Sequence, residues 1–495
     1  MSPISPPGGL TGRLAAHIAT VAEAQPTQHD TEIVRRLLLD NFIVSLWGMT
    51  RPAATEIADW TRRFAGSGTS AVLGREWTTD PSIAALAHGT AAHSFELDDT
   101  HNSTASHPGA VIIPVALAVA AEPGPPPARD RFVAAIIAGY EAMALVGEAA
   151  GGMAAVHRGF HPTSLFGGFG GAVTALALRA ARGDIALDAD LVAKAWGLAL
   201  SQPSGSMQFS VEPTGGEIKR VHAGLGAHNG IRSADFADLA AVTAPRRALE
   251  GTYGVAASFG APPREDLDEA RLRTRQIHAL SLKPYACCRL FHSTIDALAI
   301  ATDGFTAGTD ELTDILVTGP TLIAEQHMTP AESSMTAQYS CPYVVGATLA
   351  YGPSGYDAYS EEHLDDPRIR TIAGRVRFEV DPELEKTYYP EHFATAVRLT
   401  YADGTVREAQ VADSVGTAEN PMTIESIRAK ADGLARHGLD GVAQRLAAVI
   451  WSDTAGPAHF GDALHRESRT LTNSAARAGQ ASDRARLGRT DDTKG

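Results

Sequence analysis

The sequence is poor in cysteine. Its 495 residues include three, Cys287, Cys288 and Cys341, and none of them forms the CxxC spacing of a zinc or redox motif. A disulfide-stabilised secreted domain and a zinc ribbon are therefore not expected, and a reducing cytoplasm is the expected location. The first residues, MSPISPPGG, also lack the basic and apolar segments of a signal peptide.

Basic residues are in deficit as well. The chain has 42 Lys and Arg against 57 Asp and Glu, which gives a formal net charge of −15. Such a field repels nucleic acids and anionic membrane surfaces, so neither is expected as a partner. An anionic substrate would need a local basic pocket. The longest apolar runs, such as 111–121, are short and contain Pro114, so no membrane span is expected.

What the chain does have is a 44% hydrophobic content, arranged mostly with helical periodicity. The segments 313–318, 374–380 and 394–401 instead alternate or are β-branched, and Asp403-Gly404 is a hairpin-type turn. These patterns divide the chain into four parts. We predict a helical part at 1–283, an α+β unit at 284–413, a second helical part at 414–466 and a polar, disordered tail at 467–495.

Two local patterns carry more specific predictions. Asp30 is expected to cap a helix whose apolar stripe begins at Ile33. Four glycines stand together at 167–171, but no predicted strand precedes them and their spacing fits neither a dinucleotide-binding loop nor a P-loop. We interpret these glycines as a place where two helices approach closely rather than as a phosphate-binding site.

One stretch, HGTAAHSFELDDTHNSTASHPGAVIIP at 88–114, concentrates ionisable side chains between apolar segments. Its histidines and carboxylates are His88, His93, His101, His107, Glu96, Asp98 and Asp99. Buried ionisable groups are costly unless they are paired or used, so we predict that this stretch forms the core of an active site. Asp98, Asp99, His101 and His107 could also ligate a divalent cation, but their spacing is not of the HExxH or EF-hand kind, and carboxylate-histidine pairs serve acid/base catalysis equally well.

Further motifs outside that stretch also point to chemistry. His161 stands before Pro162 at a predicted helix start, where an imidazole could serve as a cap or face a substrate. Lys219 and Arg220 follow a glycine pair and supply positive charge suited to a carboxylate or a phosphate, although a surface loop is the ordinary alternative. The segment 337–350 contains two tyrosines, whose hydroxyls could bind or protonate a substrate or simply belong to the core.

A last motif, KPYACCRLFH, ends at His292 and is followed by Asp296 one helical turn later. Residues four apart share a helix face, so these two side chains could pair, which would raise the pKa of the imidazole.

These blocks resemble, in order and over residues 10–455, the motifs of the MmgE/PrpD family. They are HGTAAHSFELDDTH followed by HPGAVIIP, then GFHPTS, GGEIKRVHAG, LKPYACCRLFHSTIDA and AQYSCPYVV. The family includes 2-methylcitrate dehydratases, cis-aconitate decarboxylases and iminodisuccinate epimerases. The resemblance implies a mainly α fold: a large all-helical domain formed by both chain ends, an inserted α+β lid domain, and a catalytic pocket between them. It also implies a homodimer and neither a metal nor an organic cofactor.

The resemblance also assigns roles to individual residues. Asp98, Asp99 and Thr100 match a DDT motif, Glu96 replaces an aspartate, and the loop from Thr100 to His107 is one residue longer than in the family. The residues with implied catalytic roles are His107, poised by Asp98 or Asp99, together with His161 and Tyr343. The residues implied to bind substrate are Glu96, Thr100, Lys219, Arg220 and His292.

The function implied by the resemblance is a cofactor-independent lyase that acts on a small di- or tricarboxylate. The motifs GGEIKRV and YACC resemble fungal decarboxylases, which favours a cis-aconitate-decarboxylase-like reaction. A dehydratase of the 2-methylcitrate or citrate type and an epimerase or isomerase of a related diacid remain alternatives, because all need the same transfer of a proton at carbon. A non-catalytic interaction protein is the alternative from a different class.

Overall fold

The structure is a computed structural model that describes residues 8–212, 215–263, 267, 269–305, 308, 311–434 and 438–487. It is mainly helical, as predicted. The helices up to residue 273 are α1 (Gly9–Glu23), α2 (Gln28–Gly48), α3 (Pro52–Trp60), α4 (Pro81–Ala92), α5 (Gly109–Ala120), α6 (Arg129–Ala149), α7 (Ala154–His157), α8 (Pro162–Arg182), α9 (Ala189–Ala199), α10 (Ile218–Asp238), α11 (Val255–Phe259) and α12 (Glu269–Arg273). Two short antiparallel ladders accompany them, β1 (Ser70–Ala71) with β2 (Thr78–Thr79) and β3 (Thr100–His101) with β4 (Leu280–Ser281).

A four-stranded sheet follows, and its predicted strands and turn are confirmed. The elements of this part are α13 (His292–Ala301), β5 (Leu312–Gly319), α14 (Thr321–Gln326), α15 (Ser334–Tyr339), α16 (Cys341–Tyr351), α17 (Pro367–Ala373), β6 (Val376–Val380), α18 (Pro382–Tyr388), β7 (Thr395–Tyr401) and β8 (Val406–Val411). The strand order is β6-β5-β7-β8, with β6 parallel to β5 and the other pairs antiparallel. Gly404 takes the left-handed φ of +84° that lets the chain reverse between β7 and β8.

The last helices return to the first part of the chain. They are α19 (Ile424–Gly433), α20 (Val442–Ile450) and α21 (Pro457–Leu487). Lys430 on α19 is fully buried and places its Nζ 2.7 Å from an Asp40 carboxylate oxygen on α2. The predicted disorder from residue 467 is wrong for 467–487, which continue α21, because Leu471 is buried and Glu467 pairs with Arg445 at 2.8 Å. Residues 488–495 lie outside the described residues.

One other sequence prediction is corrected by the structure. The cap of α2 is Thr27, and Asp30 is the third helical residue of the same capping box, accepting a bond from the Thr27 backbone N–H. Two helices, α6 and α8, are long and apolar enough to cross a membrane by length and composition alone. Both are packed in the core, with 100% and 83% of their apolar windows buried, and core helices commonly pass the same test.

The glycines of α8 form a close contact with α10, which confirms their structural interpretation. A Cβ on Gly167 would lie 3.2 Å from the Cα of Gly226, and one on Gly230 would lie 2.8 Å from the Cα of Gly171. Residue numbers rise together along both helices, so the helices run parallel. Their N-termini, which carry the predicted site residues, therefore lie at the same end of the pair.

This contact gives a first testable prediction. Gly230→Ala lowers the free energy of unfolding by about 1–3 kcal/mol, because the new methyl group would overlap backbone atoms of α8. Gly168→Ala is the matched control: its Cβ meets nothing closer than 3.8 Å, and alanine favours a helix over glycine by about 0.5–1 kcal/mol. Denaturant unfolding of both variants tests the prediction, and equal midpoints would contradict it.

Candidate active site

The predicted site stretch folds into a buried loop between α4 and α5. His93 is the C-cap residue of α4, and His107 lies two residues before α5. Between them, β3 pairs with β4. The pairing of Thr100 with Ser281 brings Lys283 to the same place. Glu96 has a left-handed φ of +57°, a strained conformation for a residue with a side chain that persists where the surroundings hold it.

Glu96 is held by three buried cations. Its carboxylate accepts hydrogen bonds from Lys219 Nζ, from Arg220 Nη1 at 2.7 Å and from Lys283 Nζ at 3.1 Å. These cations hold the pKa of Glu96 well below its usual range, although burial alone would raise it. Burial alone would also lower the pKa of Lys283, but Glu96 and Asp98 together raise it. Three cations face one glutamate, which makes the local basic pocket that the net negative charge of the chain requires.

Asp98 joins two histidines beside this cluster. Its Oδ2 lies 2.6 Å from His93 Nδ1 and 3.5 Å from His107 Nδ1. Burial alone would raise the pKa of Asp98, but His107 and His93 hold it below its usual range, so the group is a carboxylate. Of the two aspartates predicted to poise His107, Asp98 therefore supplies the charge.

The contacts of His107 leave one of its two ring nitrogens able to exchange a proton. Its Nδ1 lies 2.8 Å from the backbone carbonyl oxygen of Asp99 and 3.3 Å from Thr100 Oγ1. A carbonyl oxygen only accepts, so Nδ1 carries the hydrogen and Nε2 is the nitrogen that can take a proton. Burial lowers the pKa of His107 well below its usual value, more than Asp98 raises it, and the imidazole is therefore neutral at pH 7.

His161 lies close to both of these histidines. It precedes α8, as predicted, and its ring is 6.2 Å from the ring of His107 and 5.5 Å from that of His93, between centroids. His161 Nδ1 is 3.1 Å from Nδ1 of His222 on α10, so one of the two donates and the other accepts. Burial and the nearby Lys219 lower the pKa of His161 well below its usual value.

Asp99 serves a structural role through its side chain. Its carboxyl accepts bonds from the Gly109 N–H at 2.8 Å and the Tyr140 hydroxyl at 2.7 Å, which fixes the start of α5. Burial, assisted by the charges of Asp98 and Asp40, nevertheless raises the pKa of Asp99 to about 7.

This raised pKa gives a prediction for the pH dependence of stability. Asp99 titrates near pH 4 when the chain is unfolded, so the folded state holds its proton more tightly. The stabilisation is complete below about pH 4 and is lost as the pH rises through about 7, at roughly 1.4 kcal/mol per pH unit. We expect the free energy of unfolding of the wild type to fall relative to that of Asp99→Asn over this window, measured by urea unfolding. A difference that is independent of pH would contradict the prediction.

His107, His161 and Lys283 border a cavity of about 100 Å³. Its polar lining residues are Glu96, Thr100, His107, His161, Ser210, Lys283, Cys288, Arg289, His327 and Tyr339. Lys219 and Arg220 lie behind Glu96 rather than in the lining, and Gln338 fixes Arg220 by accepting a 2.6 Å bond from its Nη2. This volume is small beside the roughly 300–1,000 Å³ of a typical pocket for a drug-sized ligand, so the cavity as it stands suits a small molecule.

Two predicted site residues lie elsewhere. Tyr343 does not line the cavity, and its hydroxyl is 2.7 Å from the carbonyl oxygen of Ala358, to which it donates. His292 is fully buried outside the lining, and its predicted pairing with Asp296 is wrong, because Asp296 accepts bonds from the Tyr285 hydroxyl and from a backbone N–H. Burial and the nearby Arg289 lower the pKa of His292 rather than raise it.

Sequence reasoning missed several residues that the structure brings to the site. Lys283 and Arg289 belong to the KPYACCRLFH motif, in which the sequence indicates only His292 as a site residue, and Tyr339 is the other tyrosine of the 337–350 segment. His93 belongs to the polar stretch, but no sequence motif assigns it a role. Its spacing of five residues from Asp98 across a helix end was the available signal.

The metal set considered from the sequence is not assembled. Asp99 is bonded to α5 and Tyr140, and His101 lies 2.9 Å from Thr104 and 3.2 Å from Gln276. Among the described residues, His93, Asp98 and His107 do place ligand-type atoms within 4.8 Å of one another. A carboxylate between two imidazoles suits acid/base chemistry equally well.

The fold and the site together define a mainly helical protein in which buried histidines and the buried cations Lys283 and Arg289 line one small cavity. The MmgE/PrpD N-terminal domain matches residues 12–267, and the MmgE/PrpD C-terminal domain matches residues 285–453. The chain belongs to the MmgE/PrpD family, as its motifs indicated. It is similar to the cis-aconitate decarboxylase-like protein oryM of Aspergillus oryzae, with 26% identity over 463 residues that cover 88% of this chain and 92% of that protein.

Proposed function

We propose that the protein is a cofactor-independent lyase of a small di- or tricarboxylate, with a cis-aconitate-decarboxylase-like reaction. The observation that carries the proposal is that neutral His107 lines the same cavity as Lys283, one of three buried cations that share Glu96. The name of the Aspergillus oryzae relative supports the same substrate class. Buried cations with incomplete partners attract carboxylates, and a neutral imidazole beside them can handle a proton.

In the proposed reaction, Lys283 and Arg289 hold substrate carboxylates at the cavity and Thr100 orients them. The bond between one carboxylate carbon and its neighbour breaks, CO₂ leaves, and the electron pair shifts through the alkene to the carbon that takes a proton. His107 delivers that proton from Nε2. Although its pKa is low in the free protein, the charge of a bound polyanion raises it, so His107 takes up a proton from solvent on binding.

In this proposal the α+β part, residues 284–413, acts as a lid over the cavity. It supplies Arg289, Leu322, Tyr339 and Phe393 to the cavity, while the helical part supplies the histidines. Opening between these parts would admit the substrate, and closure would exclude water and strengthen the electrostatic interactions inside. We further propose a cytoplasmic homodimer.

An NMR time course with cis-aconitate, 2-methylcitrate and citrate in deuterated buffer containing a chelator tests the proposal. The expected result is loss of CO₂ from cis-aconitate with deuterium at a product carbon. Exchange between hydroxy acid and alkene without CO₂ would instead establish a dehydratase. Unchanged acids with a folded protein would overturn both reactions.

A further inference from the structure

We propose that the protein binds a divalent transition-metal cation of the Zn²⁺ type at His392, Asp413 and Glu419. These three side chains place ligand-type atoms within 4.8 Å of one another. None of them lines the cavity of the candidate active site, so the cation is a structural ligand that takes no part in the reaction. The proposal is therefore independent of the proposed lyase function.

The hairpin of β7 and β8 brings His392 and Asp413 together. Thr395 at the start of β7 pairs with Val411 at the end of β8. In an antiparallel pair, the residues just before the first strand and just after the second lie opposite each other at the open end of the hairpin. His392 and Asp413 occupy those positions, and His392 Nδ1 lies 2.5 Å from Asp413 Oδ1.

The loop that follows Asp413 returns Glu419 to the same place. The Gly416 N–H donates a hydrogen bond to the Asn420 carbonyl oxygen at 2.8 Å, and the Asn420 side-chain N–H donates to the Asp413 carbonyl oxygen at 3.4 Å. Glu419 directly precedes Asn420 and is thereby held beside the open end of the hairpin. The path of the backbone therefore brings the three side chains together.

The charges of this cluster are not balanced by the protein. Two carboxylates face one imidazole, and a protonated imidazole carries a single positive charge. Among the residues that the structure describes, no lysine or arginine forms an ion pair with Asp413, and the carboxylate of Glu419 has no ion-pair or hydrogen-bond partner. Converging carboxylates repel each other, and a bound divalent cation replaces that repulsion with attraction.

The donor atoms select the kind of cation. An imidazole nitrogen suits Zn²⁺ and similar transition metals, whereas Mg²⁺ and Ca²⁺ take oxygen ligands. Three protein ligands and one water are a common set for Zn²⁺. The proton between His392 and Asp413 passes to solvent when the ion binds, because metal ligands must be deprotonated. Their side chains are 31% and 29% exposed and Glu419 is exposed, so all three are free to turn toward an ion.

The cluster is open to solvent through a cleft. His392 and Glu419 both line this cleft, which has a volume of about 570 Å³ and admits a hydrated ion. Its other charged groups are Glu148, Glu391 and Arg271, of which Arg271 pairs with Glu148. The remaining carboxylates give the cleft an excess of negative charge, which attracts cations.

Binding at this place also stabilises a segment that reaches the active site. The Gly416 carbonyl oxygen, in the same loop as Glu419, accepts a 2.9 Å hydrogen bond from the N–H of Leu282. Leu282 directly precedes Lys283, which lines the active-site cavity. An ion that holds residues 413–419 in place therefore reduces local opening of the backbone next to Lys283.

Calorimetric titration with Zn²⁺ tests the site after bound metal has been removed with a chelator. We expect the wild type to bind one Zn²⁺ at this site in the presence of excess Mg²⁺. Glu419→Gln and Asp413→Asn each remove one charged ligand, and we expect them to weaken this binding at least about tenfold. Glu391→Gln is the matched control, since Glu391 is exposed in the same cleft but lies outside the ligand set, and we expect it to bind as the wild type does.

Two results of this titration would overturn the proposal. One is a wild type that binds no Zn²⁺, or that binds it no more tightly than Glu419→Gln and Asp413→Asn do. The other is an equal loss in Glu391→Gln, which would show that the charge of the cleft, rather than the three ligands, attracts the ion.

Hydrogen exchange tests the structural role of the ion. We expect Zn²⁺ to slow amide exchange in residues 413–420 and at Leu282 in the wild type and in Glu391→Gln, but not in Glu419→Gln. Zn²⁺ binding without slower exchange in these residues would contradict the structural role. Neither measurement depends on turnover, so a failure of the proposed lyase function leaves both results interpretable.

Discussion

His107→Asn is expected to lower kcat for the preferred carboxylate about 10²–10⁴-fold. Asparagine keeps a polar group at the cavity and can still donate to the Asp99 carbonyl oxygen, but it has no nitrogen that gains and loses a proton near pH 7. The expected loss is therefore in proton transfer, with a smaller effect on KM. The measurement is kcat and KM over a range of pH, together with the rate of deuterium incorporation at carbon.

His101→Asn is the control for this variant. His101 belongs to the same stretch and is equally buried, but it faces Thr104 and Gln276 rather than the cavity. We expect its kcat to stay within tenfold of the wild type and its pH profile to keep the same shape. If His107→Asn is as active as His101→Asn, His107 does not transfer the proton, and His161 becomes the next residue to test.

Glu96→Gln is expected to lower the free energy of unfolding by about 3–5 kcal/mol. The change removes the negative charge that Lys219, Arg220 and Lys283 share, and all three cations are nearly or fully buried. A buried cation without its partner keeps its desolvation cost and now repels its neighbours. Thermal and urea unfolding of the variant against the wild type measure the loss.

Glu96→Asp is the matched control because it keeps the charge while shortening the reach. We expect it to recover most of the stability. A small dicarboxylate such as succinate should raise the unfolding midpoint of Glu96→Gln more than that of the wild type, since it can supply the missing charge. If the unfolding midpoint of Glu96→Gln without succinate equals that of the wild type, the three cations do not depend on the Glu96 carboxylate.

Local patterns were predictable because neighbours in the sequence are neighbours in the structure. The stretch 88–114 lies at the junction of α4 and α5, His161 directly precedes α8, and the strands β5, β6 and β7 form at the three segments whose alternation or β-branched residues predict strands. The glycines of α8 meet α10, since small residues at helical spacing leave a smooth face for another helix. Polar composition, in contrast, predicts disorder at 467–487, where buried Leu471 and the Arg445–Glu467 pair hold α21.

Partners across the fold were not predictable in the same way. Sequence spacing placed His292 and Asp296 on one helix face, but the neighbour of Asp296 proved to be Tyr285. Only the packing of the helices shows that Tyr339, and not Tyr343, lines the cavity. The order of residues in the sequence does not determine this.

The sequence by itself determined the helical class, the position of the sheet, the family and the stretch that carries the chemistry, because periodicity, turns and motifs are properties of consecutive residues. The tertiary structure alone decided which charges meet. Glu96 bonds to residues 123, 124 and 187 positions away, and those contacts form only when α4, α10 and the segment after β4 pack together. Electrostatic pairing acts over a few ångströms in space and does not depend on separation along the chain. The site could therefore be located from the sequence, but the ion pairs and hydrogen bonds between its residues could not be predicted.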